Sequence, residues 1–416
     1  MKKSITFFFP YYDVSGVPIL FLNLAEFISA HYNYDVYIVD YKNGYMSCNR
    51  KKESKVKLIE FENGKFVRIL DTILVMQAIL PYAIRPELLI SKNTKLFFWC
   101  LYPDIFFPFV FPFNLFSKTI KNNIKFYQLI LNFFYKNTLT NVKNFVTDLN
   151  DCNALIFMDS SNLNRTNEIL ELELTPNIYL PILCNGDENN VKKRFSLNND
   201  LNISWVGRLC DFKINILVHT IEKVSILANK LQKNIIFHII GNGDKRDLID
   251  NISVNNEFFN LKIVGEIEKD KLDQYLIDNI DISTAMGTSA LESAKLAIPT
   301  IVLDISHKKI EGDYIFRWLH DTINFDVAHN VSKLDFQDNN KSLEKILINF
   351  NKEKELLKQK SYDYFWQNHS VESVSNKFIK LIELYSIKFE DINNTYFKKS
   401  FIRKLYEFKK YKIWSK

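Results

Sequence analysis

Glycine and proline are scarce in this chain, ten of each among 416 residues, which sets aside collagen-like and Gly/Pro-rich disordered architectures. Cysteine is scarcer still. The five, Cys48, Cys100, Cys152, Cys184 and Cys210, are odd in number and form no Cys-x-x-Cys, so neither a disulfide framework nor a zinc site is expected, and a reducing compartment is. The seven histidines make no His-x-x-x-His pair, and there is no Asp-x-Asp triplet and no Ser/His/Asp elbow. No uninterrupted apolar run reaches the ~20 residues of a spanning helix. The longest candidate, Ile105 to Phe116, is broken by Pro108 and Pro112. Met1-Lys-Lys-Ser carries the charge of a leader peptide, but the apolar run behind it lasts only from Ile5 to Phe9 before Pro10 and Asp13. It is therefore expected to be a first strand.

What is present is globular: 47% apolar and 25% charged residues, in a chain long enough for two hydrophobic cores. Strand-like and helix-like runs alternate from the start, with Ile5 to Phe9, helical periodicity over Val17 to Ala30, then Val36 to Asp40. Further strands are expected at Val56 to Ile59, Glu87 to Ile90, Leu96 to Cys100 and Asn144 to Thr147, and helices at Val67 to Leu80 and Thr119 to Tyr135. A polar stretch follows Cys184. Beyond it a second alternating series begins with the strand Ile203 to Val206 and includes strands Ile235 to Ile240, Leu261 to Val264, Ile280 to Ala285 and Thr300 to Leu303, with helices between them. Alternation of this kind implies parallel sheets covered by helices. The expected organisation is an α/β domain over 1–184, a linker at 185–202, a second α/β domain over 203–369, and a helical, basic segment over 370–416.

Two short stretches carry chemistry. In Trp205-Val-Gly-Arg-Leu-Cys-Asp-Phe-Lys213 a strand ends at Gly207, and Arg208 and Lys213 follow as two cations able to converge on one anion. In Thr284-Ala-Met-Gly-Thr-Ser-Ala-Leu-Glu292 a strand ends in a turn at Gly287. Thr288 or Ser289 is expected to cap the next helix, and Glu292 lies one turn in. A helix N-terminus presents unpaired N–H groups and a positive dipole end, so phosphate is its natural ligand, with Glu292 nearby as an acceptor for sugar hydroxyls. Ser15-Gly16-Val17-Pro18 opens the first helix, and Gly241-Asn-Gly243-Asp244 ends a strand. The latter is not a dinucleotide fingerprint, since position 246 is Arg.

These stretches resemble the signature of the retaining family 4 glycosyltransferases of GT-B architecture. Gly207, Arg208, Leu209 and Lys213 match that family's Gly-Arg-Leu…Lys loop, and Gly287, Leu291 and Glu292 match the second half of its Glu-x7-Glu loop. Pro299 fits the following Gly-x-Pro strand, with Ala297 in place of Gly, and Thr284 stands where the family has its first Glu. The resemblance implies two Rossmann-like domains facing across a cleft, with the last helices crossing back to the first domain. It implies a nucleoside-diphosphate sugar as donor substrate with no cofactor or metal, and a glycan or lipid-linked acceptor in surface polysaccharide assembly. Arg208, Lys213 and Glu292 would be the catalytic residues. Gly16, Gly207, Gly243, Thr284, Gly287, Thr288, Ser289, Ala290 and Leu291 would bind the donor. Two rivals share the fold: a non-catalytic partner protein, and a nucleotide-sugar epimerase, for which no acid/base carboxylates can be placed.

The net charge is +6, and between Lys398 and Lys416 eight basic residues face one acid, Glu407. Phe397, Phe401, Leu405 and Phe408 form one helical stripe there, with Trp414 beyond. A cytoplasmic protein resting on an anionic membrane surface is expected from this tail. Phe106 to Phe116 and the stripe Ile120, Ile124, Tyr127, Leu131 and Phe134 read equally well as membrane contact or as core. Nucleic acid is not an expected partner, because the basic charge is concentrated in a tail without a recognition motif.

Overall fold

The computed structural model describes residues 2–107, 124–176, 178–186, 200–252, 256–331, 342–399 and 401–411. The chain divides into two units, Met1–Ile182 with Val374–Lys416, and Leu183–Ser373. In the first unit the elements run β1 (Lys3–Phe8), α1 (Gly16–His31), β2 (Tyr34–Asp40), α2 (Tyr45–Asn49), β3 (Lys57–Glu60), β4 (Val67–Ile69), β5 (Ile73–Gln77), β6 (Leu88–Ile90) and β7 (Lys95–Cys100). They continue with α3 (Ile124–Phe134), α4 (Lys136–Asp151), β8 (Leu155–Phe157) and α5 (Ser160–Leu170). Parallel strands pair in the order β3, β2, β1, β5, β7, β8, so the chain winds outward both ways from β1. β4 and β6 form a separate two-stranded sheet.

Two expectations fail in this unit, each for a physical reason. Val67 to Leu80 is two strands, β4 and β5, and not a helix. Ile73, Leu74, Val75 and Met76 are all buried in a central strand covered on both faces, and such a continuous apolar run looks the same at either period. Asn144 to Thr147 is not a strand but the middle of α4, whose Leu139, Val142, Phe145, Val146 and Leu149 return at helical spacing to one buried face. Of the aromatic cluster, Phe106 and Phe107 are buried core, whereas Phe109, Phe111, Phe113, Phe116 and Ile120 lie outside the described residues. On α3, Leu131 is buried, while Phe126, Leu129 and Phe133 are exposed.

The second unit contains β9 (Leu201–Val206), α6 (Asp211–Leu231), β10 (Ile235–Ile240), α7 (Arg246–Asp250), β11 (Phe259–Gly265), α8 (Lys269–Asn279), β12 (Ile282–Ala285) and α9 (Thr288–Ala294). β13 (Thr300–Val302), β14 (Arg317–Trp318) and α10 (Leu343–Asn368) follow. Its sheet runs β11, β10, β9, β12, β13, β14, parallel except for the last pair. Leu201 and Asn202 belong to β9 and not to the linker. Helix α11 (Val371–Ile382) carries the chain out of this unit, and β15 (Ile387–Lys388) adds antiparallel to β7 of the first sheet. α12 (Phe401–Tyr411) follows. Among the described residues no helix is long and apolar enough to cross a membrane.

Candidate functional site

In the second sheet the strand order reverses between β9 and β12, and open α/β sheets bind ligands at the carboxyl ends of the strands flanking such a point. Both chemical stretches sit there. Val206 and Ala285, the last residues of β9 and β12, are register partners, so the Gly207 and Gly287 loops leave the sheet side by side.

Trp205 organises the first loop. It is fully buried, and its indole N–H donates to the Gly207 carbonyl at 3.0 Å. Gly207 has φ +153°, and a Cβ there would lie 3.2 Å from the Trp205 ring and 3.6 Å from Lys213 Nζ. Helix α6 begins at Asp211, so Lys213 occupies its first turn. The ammonium lies 5.8 Å from the Trp205 ring centroid and 5.7 Å from that of Phe212. Burial pushes Lys213 below the ordinary lysine range, with Cys210 opposing and the Arg208 cation adding to the depression. A cation at a helix N-terminus is unfavourable as well. Asp211 pairs with Lys245 at 3.2 Å, and among the described residues no carboxylate lies within 4 Å of Lys213 or of the exposed Arg208. The loop thus holds two neighbouring cations, and at Lys213 burial disfavours the charge.

Gly243 packs directly against the Arg208 loop. A Cβ on it would stand 2.0 Å from the Leu209 carbonyl oxygen, and one on Gly241 would stand 2.1 Å from that of Gly207. Gly207 N–H donates to Ile240 and Leu209 N–H to Asn242, so the β10 loop supports the Arg208 loop backbone to backbone. Gly16, in the first unit, is the exposed first residue of α1.

The second loop departs from expectation at several positions. Thr284 is 1% exposed and donates to the Ser204 carbonyl at 2.8 Å, so its side chain is bonded within the core of the sheet. Gly287 (φ +64°, ψ −140°) takes the N-cap position, and neither Thr288 nor Ser289 caps the helix with its side chain. The Gly287 N–H is taken by the Val327 carbonyl at 2.9 Å. Ala290 and Leu291 are fully buried, leaving exposed Thr288 and half-buried Ser289 as the outward residues of that turn.

Glu292 is partly exposed at 24%, and its Oε2 accepts from Lys295 Nζ at 2.5 Å. Lys295 also reaches Asp273 on α8 at 3.0 Å, and the buried Cys184, whose thiol donates to the Asn185 carbonyl at 3.6 Å, lies beside the same group. Sequence reasoning missed all three partners, although the i,i+3 spacing of Glu292 and Lys295 on one helix was a usable signal. It also missed the group that holds Val327. Asp304, fully buried after β13, accepts from Arg317 in a fork at 2.6 and 2.8 Å and from Tyr314. Arg317 and His329 bind Asp326 at 3.2 and 2.7 Å. Burial opposes charge on Arg317, but its bonds to Asp304 outweigh burial and raise its pKa.

No family model matches this chain, and no curated protein does. Solved structures do. A glycosyltransferase from Rickettsia africae aligns over 92% of this chain and 98% of its own, with a TM-score of 0.54 at 12% identity. Anabaena HepE in complex with UDP and glucose gives 0.52 at 10% identity over 92% and 100%. Staphylococcus aureus TarM with UDP and α-GlcNAc-glycerol gives 0.51 at 14% identity over 92% and 100%. The fold is that of the GT-B glycosyltransferases. Two mostly parallel sheets flanked by helices are common to this chain and that architecture.

Proposed function

We propose that this chain is a glycosyltransferase that moves a sugar from a nucleoside-diphosphate donor to a glycan or lipid-linked acceptor. The observation that carries the reading is the Arg208/Lys213 pair, two cations without a carboxylate partner among the described residues, where β9 ends beside β12. Such a pair favours a ligand with two adjacent negative charges, and a diphosphate is one. HepE and TarM were both solved with UDP, which supports the same substrate class.

In this reading Arg208 and Lys213 stabilise charge as it develops on the departing diphosphate, in place of a metal. The first turn of α9 adds the N–H groups of Thr288 and Ser289, and Glu292 accepts from the ribose hydroxyls. Transfer proceeds with retention on the donor's own face, the leaving phosphate assisting deprotonation of the acceptor. The exposed Leu405 and Phe408 on a basic segment support attachment to an anionic membrane surface, the setting of lipid-linked acceptors in surface polysaccharide assembly.

Donor hydrolysis or transfer across a panel of nucleotide sugars tests the assignment. Arg208→Ala and Lys213→Ala should each lower turnover by about two orders of magnitude or more, and chelators should leave it intact. Near-normal turnover in either variant would remove the diphosphate reading. A second reading, a partner protein without turnover, is favoured by Thr284 lying buried where the resembling family has a carboxylate. Thermal stabilisation by a donor without any turnover would select it.

A further inference from the structure

Lys295 is 9% exposed, yet both carboxylates it joins reach solvent, Glu292 at 24% and Asp273 at 32%. An ammonium withdrawn from water between two carboxylates on different helices is not the solvated i,i+3 pair that contributes little on a helix surface. Burial works against its charge, but the Glu292 and Asp273 carboxylates hold it above the ordinary lysine range. The fixed end of the bridge is Asp273 on α8, and the free end is Glu292 on α9. Cys184 closes the third side, where its N–H donates to His369. An ionised carboxylate accepts at about four lone-pair positions. Lys295 occupies one of these, and the partly exposed carboxylate leaves others open on the solvent side.

We propose that Lys295 is a positioning residue that locks the Glu292 carboxylate in one orientation, so that its open lone pairs meet the vicinal hydroxyls of a nucleoside ribose. This rests on the reading of Glu292 as the ribose ligand. Without the bridge, the glutamate on a short helix would sample several rotamers, and each binding event would have to order it. With the bridge, that ordering is complete before the ligand arrives.

The test compares uridine, guanosine and adenosine diphosphates with their 2′,3′-dideoxy counterparts by calorimetry. The proteins are wild type, Glu292→Gln, Lys295→Met and Lys295→Arg. Wild type should prefer the ribose form of the best-bound nucleotide by roughly 10- to 100-fold, the ratio expected of a hydrogen bond to a charged group. Glu292→Gln should lose most of that preference. Lys295→Met should lose about tenfold of it while binding the dideoxy form within about twofold of wild type, and Lys295→Arg should keep most of it.

A Lys295→Met protein that retains the wild-type ratio, or weakens both forms alike, overturns the inference, because a merely structural lysine would do one or the other. If wild type shows no preference or no binding, or Glu292→Gln keeps the preference, the ribose reading itself falls and the inference with it. That failure is visible before Lys295 is touched. Should Lys295→Met not fold, Asp273→Asn removes the anchor from a partly exposed position and should shift the ratio the same way by about threefold. An unchanged ratio there also overturns the proposal.

Discussion

A Cβ on Gly243 would lie 2.0 Å from the Leu209 carbonyl oxygen, so the residue after Arg208 rests directly on the backbone of the neighbouring loop. The contact is reinforced by Leu209 N–H donating to Asn242 and Lys245 N–H donating to Leu209. Gly243→Ala must therefore push the Arg208 loop off its support. Overpacking of this kind costs about 1–3 kcal/mol. Chemical denaturation should show that loss. Nucleotide affinity should fall with it. A variant as stable as wild type would show that the two loops separate without cost.

Lys213 offers a test whose sign is unusual for a lysine. Its folded-state pKa is lowered, mainly by burial, so below that pKa the folded chain carries a charged ammonium at a penalty absent from the unfolded chain. The penalty is fully present at neutral pH and is relieved as pH rises through the lowered pKa toward 10.5. Lys213→Met should consequently raise Tm at neutral pH by roughly 2–4 °C while abolishing turnover. Arg208 contributes to the depression, so Arg208→Ala should move the alkaline limb of kcat/KM to higher pH. A Tm that falls on Lys213→Met, or an alkaline limb that stays in place, would contradict the account of this loop.

Restoring the carboxylate that the resembling family carries at position 284 should harm the protein. Thr284 is buried and bonded to the Ser204 carbonyl, and a glutamate there would lose that bond and bury an unpaired acid in the sheet. Thr284→Glu should lower stability by several kcal/mol, increasingly as pH rises and the acid ionises. Thermal melts at pH 5 and pH 8 measure this. A wild-type melt at both would mean that the strand end is open to solvent.

The C-terminal helix should attach to anionic vesicles through two side chains. On α12 the single acid, Glu407, is buried and paired with Lys399 at 2.6 Å and Arg403 at 2.8 Å, so it does not oppose the remaining cations. Leu405 and Phe408 are 45% and 50% exposed. Exchange of both for Ser leaves the charge unchanged and should weaken co-sedimentation with phosphatidylserine vesicles by about tenfold, since insertion of two apolar side chains contributes on the order of 1–2 kcal/mol. Equal sedimentation of both proteins, or none of either, would remove the membrane from the proposal. Trp414 lies outside the described residues and plays no part in this test.

The first loop was legible in the sequence because everything it needs lies within nine residues: a strand, a glycine and two cations. Ala297 was legible in a different way. It has φ +58°, the left-handed region, at the position where the resembling family has Gly, so the backbone turn persists although the residue has changed. The burial of Thr284 was not legible, because all four residues of β12 are buried on both faces of the strand and alternation gives no sign of it. Asp273 and Lys295 are 22 positions apart in the chain, and Asp304, Arg317, Asp326 and His329 converge only after β13 and β14 have paired. No local spacing encodes such meetings. Val67 to Leu80 failed for the opposite reason, an excess of local signal, since a fully apolar run fits either period.

Phe378 of α11 is fully buried against Phe7, Phe97 and Trp99, with ring centroids 5.8, 5.5 and 6.3 Å away, and β15 closes the edge of β7 nearby. The first unit is thus finished by residues that follow the whole of the second unit in the chain. At about 5–20 residues per second, the roughly 200 residues between Ile182 and Ile382 take about 10–40 s to synthesise. Throughout that interval β1 and β7 have no cover for the Phe378 site, whereas the second unit gains the last of its strands at Trp318, before Phe378 is made. The second unit should therefore be the first to become protease-resistant on the ribosome, reversing the usual order in which an N-terminal domain leads.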